Sequence, residues 1–335
     1  MFRALQIPVI LILLIIPVAG YSQHQPIDVS HALQSFEPFP GETSFLSDHS
    51  RSSLDWLAST ASSSVNDNTG LIVRGQEDGG AGEADSNDPS APLVQLRFQN
   101  AFIPETIDSS GYSNQFIFQG IFPLHISEDS FFPFHVLRPT VPIIAPSPDP
   151  DGPLGVQGGL GDTTVLDVFI RPAPELKTSF GFGYVAVLPT STHPQLGLGE
   201  WEFGPTILMT TTAVDKWLFG AVYYHPFSMQ SDSYQGFFQP VVVRNFPNQW
   251  FAGWGEEVWK VTDENGQYDL PINLRVGKVV EVGRHKLNVF LQGKYTPNGL
   301  HSGTSGSTWG VKINVAFLLP EAKLYAPLLH HVVAH

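Results

Sequence analysis

The chain has 335 residues, a formal net charge of −14 and no cysteine. The lack of Cys excludes disulfides, thiolate metal sites, a Cys nucleophile and a lipidated N-terminal Cys, and the acidity excludes a basic nucleic-acid surface. Charged residues make up only 14%, while Gly and Pro number 31 and 28, a composition of many turns and few amphipathic helices.

In chain order, the first element is MFRALQIPVILILLIIPVAGYSQ. Arg3 gives a positive start, Ile7 to Ile16 an apolar run, and Val18-Ala19-Gly20 small residues for cleavage. This predicts a secretory signal peptide over residues 1–22, its apolar run too short to span a bilayer. No later stretch reaches the ~18 apolar residues that a membrane helix needs. An exported protein without a helical span is either soluble outside the cytoplasm or an outer-membrane barrel. Barrel strands alternate and average to neutral hydropathy, and the mean hydropathy of +0.00 fits either class.

Residues 23–92 hold 11 acidic and 2 basic side chains and include STASSSVNDNTG and GQEDGGAGEADSNDPSAP. Such stretches have little to bury, so the segment is expected to be flexible and disordered. From Leu93 onward, breakers separate segments of strand character. They are read as 94–103, 114–125, 133–144, 160–171, 178–188, 200–211, 216–226, 235–246, 249–260, 268–279, 286–295 and 308–319, leaving a tail over 320–335. The connections mostly alternate between long, as in APSPDPDGPLGVQGGL, and short, as in PAPELK. Outer-membrane barrels place long loops outside and short turns in the periplasm. The fold class expected is therefore all-β: an antiparallel transmembrane β-barrel of about 12 strands over residues 93–319.

Face patterns agree. In TWGVKINVAFLL (308–319), Trp309, Val311, Ile313, Val315, Phe317 and Leu319 oppose Thr308, Gly310, Lys312, Asn314, Ala316 and Leu318. Strict alternation is a strand with one apolar face, and in a barrel that face meets lipid. Trp201, Trp217, Trp250, Trp259, Tyr295 and Trp309 lie near strand ends, where interfacial girdles would place them. The polar sides of strands four, six and ten to twelve put Asp167, Arg171, Glu202, Arg275, Lys286, Lys294 and Lys312 on the inferred lumen face. Opposed charges there either set pore selectivity or brace a small lumen. A surplus of Lys and Arg would favour anionic solutes.

GLGD (159–162), FGYVAVLPT (182–190), LGLGEWEFGPTILM (196–209), QPVVVRNFPNQWF (239–251) and INLRVGKVVEVGRHKLNVFLQGKY (272–295) occur in one order. This set resembles the outer-membrane β-barrel proteins grouped with the meta-pathway of phenol degradation, often labelled transporters. The resemblance covers about residues 155–320. It implies a barrel in the outer membrane and passage of small, including aromatic, molecules. The acidic segment 23–92 and the tail LLPEAKLYAPLLHHVVAH depart from that pattern.

Other constellations read more simply. His330, His331 and His335 stand on a loose terminus. Asp149 and Asp151, and Asp263 and Asp269, lack calcium-loop spacing and lie in turn sequences. No G-x-S-x-G, H-E-x-x-H or phosphate loop is present. His125, His135 and His225 lie in or near strands, but a barrel-embedded lipase would need a Ser–His pair on one face. No enzyme activity and no cofactor are expected. The sequence points to an outer-membrane passive channel or transporter, with lipid and a small-molecule solute as partners. A soluble ligand-binding β-sandwich and a structural barrel with a plugged lumen stand as alternatives.

Overall fold

The computed structural model describes residues 85–106, 112–145, 158–283, 285–302, 307–319 and 324–325. The expected signal peptide, residues 23–84, Asp149, Asp151 and the terminal histidines lie outside the described residues.

The strands are β1 (Val94–Thr106), β2 (Ser113–His125), β3 (Phe134–Ile144), β4 (Gly159–Leu160), β5 (Thr163–Ala173), β6 (Thr178–Leu188), β7 (Glu202–Thr211), β8 (Trp217–Tyr224), β9 (Phe227–Ser228), β10 (Gln235–Phe246), β11 (Trp250–Trp254), β12 (Trp259–Asp263), β13 (Ile272–Val282), β14 (His285–Tyr295), β15 (Ser307–Leu319) and β16 (Leu324–Tyr325). Antiparallel pairing runs through β1, β2, β3, β5, β6, β7, β8, β10, β11, β13, β14 and β15, and β15 returns to β1 from Val94↔Leu319 to Thr106↔Ser307. This is a closed barrel of twelve positions. β12 continues the line of β11 along β10. Closure leaves no strand edge inside the wall, which a bilayer requires because an unpaired N–H or C=O in hydrocarbon costs several kcal/mol.

The connections show the expected asymmetry. Residues 174–177, 212–216 and 247–249 close one end, the turn end, with short connections, and Gly283 lies at the same end between β13 and β14. The connection from β6 to β7 (189–201) and that from β14 to β15 (296–306) lie at the other, the loop end. Positive φ at Lys177, Lys216 and Asn248, and at Gly283, marks these tight turns. Beyond β15, β16 runs in the same sense as β15 and pairs in parallel with the part of β2 that overhangs β1, Leu324↔Leu124 and Tyr325↔His125.

Alternation decides the two faces. Val276, Leu291 and Ile313 form a cross-strand row and are 49%, 51% and 37% exposed. The adjoining Asn273, Gln292 and Asn314 are nearly fully buried on the lumen side. An apolar outside around a polar inside is the reverse of a soluble sandwich, and so continuous an exposed apolar surface calls for lipid. The lumen is not polar throughout. Ile121, Phe134, Val136, Val168, Ile170, Leu208 and Val222 make an apolar cluster on the inner side of β2, β3, β5, β7 and β8.

Candidate functional site

The ninth spanning segment holds the site. The sequence suggests one strand over 249–260, but the chain breaks between Trp254 and Trp259. The physical reason lies in the doublet Glu256-Glu257. A regular strand would send one of the two into the lumen and the other into lipid, where a charge is costly. Leaving the strand lets both turn inward. Gly255 permits this, because a Cβ there would clash with the side chains of Asn273 and Gln292. Glu256 N donates to Gln292 Oε1 at 2.8 Å, which seats the fold against β14, two strands away.

Each carboxylate serves two cations. Glu256 accepts from Arg97 Nη1 at 2.7 Å and from Arg275 Nη1 at 2.6 Å. Glu257 accepts from Lys312 Nζ at 2.9 Å and lies 3.5 Å from Lys294 Nζ. These cations come from β1, β13, β14 and β15, so the two glutamates tie a third of the wall together. Arg97 is further held by Gln95 Oε1 and by the carbonyl of Ser86. A cavity of about 280 Å³ adjoins the cluster, lined by Arg97, Arg138, Lys294, Lys312 and both glutamates. Arg138 extends from β3 and reaches Gln239 Oε1 at 3.4 Å.

The chain entering β1 crosses the turn end of the lumen. Asn288 Nδ2 donates to Ser86 Oγ at 2.9 Å on the β14 side, and Ser90 Oγ meets Thr210 Oγ1 at 2.8 Å on β7. In the closed ring these strands stand opposite each other. Ala91 and Leu93 pack with Val279, Ala316 and Leu318. Asp88 accepts from Ser90 N and Oγ, yet burial outweighs these bonds and holds its carboxyl above the usual range. Residues 86–93 thus belong to the barrel interior rather than to the flexible segment expected to run to residue 92.

The sequence-derived residues divide. Arg275, Lys294 and Lys312 converge on the glutamate pair. Glu202 faces inward at the loop end of β7, and Lys286 is in register with the inward Leu318 at the turn end. Asp167 and Arg171, expected on the lumen face from their polarity, face outward instead. Asp167 is in register with the outward Tyr184, and Arg171 with the outward Phe180, while Leu166, Val168 and Ile170 face in. The reason is that β5 lines the apolar part of the interior. Asp167 is instead hydrogen-bonded on the outside, with His135 Nδ1 at 2.5 Å and Tyr184 Oη at 2.8 Å. Arg171 reaches the turn-end loop, donating to the Phe131 carbonyl and covering the Phe131 ring.

The aromatic residues form two outward levels. Trp201, Tyr295 and Trp309 lie at the loop end, with Trp259 packed against Phe238 and Trp254 on the same side. Trp217 and Trp250 lie at the turn end beneath Arg244 and Lys278. Asp263 is a turn residue, accepting from Asn265 N and Gln267 N. No group of metal ligands occurs among the described residues. Sequence reasoning missed Arg97, Arg138, Glu256 and Glu257. The available signal for the last two was a charged doublet inside an otherwise apolar strand.

No family model and no curated protein matches the chain. Among solved structures, the COG4313 outer membrane channel from Pseudomonas putida F1 matches with a TM-score of 0.50 and 14% identity, over 68% of this chain and 94% of that one. What the two share is the fold, a closed antiparallel β-barrel. A KdgM porin in complex with disordered oligogalacturonate matches at a TM-score of 0.38 and 8% identity, over 68% and 97% of the two chains. The Salmonella typhi outer membrane phospholipase dimer with bound calcium matches at 0.32 and 10%, over 68% and 91%. These likenesses concern the barrel alone and carry no phenol association.

Proposed function

We propose that the protein resides in the outer membrane as a passive channel for small solutes, with a preference for anions. The observation that carries this reading is the lumen cluster, in which Arg97, Arg138, Arg275, Lys294 and Lys312 outnumber Glu256, Glu257 and Asp269. A net positive constriction with low-dielectric walls concentrates anions and repels cations. Passage needs no reaction and no cofactor. The sequence resemblance adds small aromatic molecules as a solute class. A structural barrel is the second reading, favoured by the segment that spans the turn end through Ser86 and Ser90.

The test begins with fractionation. A barrel is recovered in the outer membrane, needs detergent, and migrates faster on gels before boiling. Planar-bilayer recording then separates the two readings. Discrete conductance steps support the channel, and a folded barrel that passes no current supports the scaffold.

A further inference from the structure

We propose that the cavity at Arg138 is a binding site for the carboxylate of a small organic monoacid. The inference deepens the channel reading and rests on it. Four cations line this cavity, and three of them are committed: Arg97 to Glu256, and Lys294 and Lys312 to Glu257. Arg138 is different. Among the described residues no carboxylate lies within 4.0 Å of it. Its Nε is buried without a hydrogen-bond partner, and its contact with Gln239 is long at 3.4 Å. Both glutamates are already paired with two cations each, and Glu256 acts on Arg138 only from beyond ion-pair distance.

A guanidinium held in a confined cavity without an anion is poorly compensated, and its planar fork matches a carboxylate. The surrounding groups fit such a ligand. Tyr224, Gln239 and Thr140 offer hydrogen-bonding groups on the same cavity, and Leu166 and Ile117 offer apolar surface for the rest of the molecule. A volume of about 280 Å³ falls just below the ~300 Å³ where drug-sized pockets begin. It suits a short-chain or single-ring acid and is too small for an oligosaccharide.

The experiment is calorimetric titration of the full folded barrel in detergent with pentanoate and with pentanamide, which has nearly the same shape and no charge. Pentanoate is expected to bind at least tenfold more tightly. R138Q is expected to abolish that difference, R138K to keep part of it, and R171Q, on the outer wall, to leave it intact. Equal affinity for the two probes, or a wild-type pentanoate affinity in R138Q, overturns the site. Gel mobility before boiling reports whether R138Q folds, and if it does not, the wild-type comparison of acid with amide decides alone. A barrel that binds pentanoate but carries no current contradicts the channel and leaves this site standing. A conducting barrel without acid preference does the reverse.

Discussion

Ser90 and Thr210 are separated by 120 positions in sequence, yet their hydroxyl oxygens lie 2.8 Å apart inside the barrel. At the other end of the same short segment Ser86 is held by Asn288. A run of small polar residues is thereby stretched between opposite walls, and it narrows the turn end of the lumen. Each such hydrogen bond contributes only about 1 kcal/mol net, so the segment is held weakly enough to be displaced.

Removing it should widen the path. A chain truncated through Ala91 is expected to show at least a twofold larger unit conductance in planar bilayers. An unchanged conductance would mean that the constriction lies wholly at the glutamate cluster.

Seating of this segment should depend on pH through Asp88. Burial raises its carboxyl in the seated state, so the seated state binds more protons than the released one. Seating is therefore strongest below the ordinary carboxylate range and weakens as pH climbs through the raised value. Conductance is expected to increase over that interval, and Asp88→Asn should flatten the profile.

On the outer wall, Asp167 depends on His135 and Tyr184. His135→Phe should leave a carboxylate poorly compensated in lipid and cost about 2–3 kcal/mol in denaturant unfolding. Adding Asp167→Leu should restore most of that loss, because replacing both partners removes the buried charge. Additive losses in the double variant would mean the pair is not coupled.

The row Val276, Leu291 and Ile313 tests the lipid face. Leu291→Lys places a cation near mid-strand and is expected to cost about 2–4 kcal/mol. The same substitution at Gln292, one residue along and facing the lumen, should cost less. Reversal of that order in unfolding experiments would contradict the assignment of faces.

Much of this was legible in the sequence, because a period of two is a local signal. The spans 178–188 and 235–246 coincide with β6 and β10, and the faces of TWGVKINVAFLL fall as alternation places them. What escaped depends on distant partners. Asp167 looks like a lumen residue until His135, 32 positions earlier, is seen beside it. DSNDPSAP reads as linker because its bonds run to Asn288 and Thr210. WGEEVW reads as strand because the four cations that draw its glutamates inward lie on β1, β13, β14 and β15.

The most direct test of the central claim is the reversal potential across a KCl gradient, measured for the wild-type barrel and for Glu256→Gln. A lumen with surplus cations predicts a sign that reports chloride preference, and a stronger preference once Glu256 is neutralised and Arg97 and Arg275 are left uncompensated. A potassium-preferring current, or a selectivity unmoved by Glu256→Gln, would contradict it.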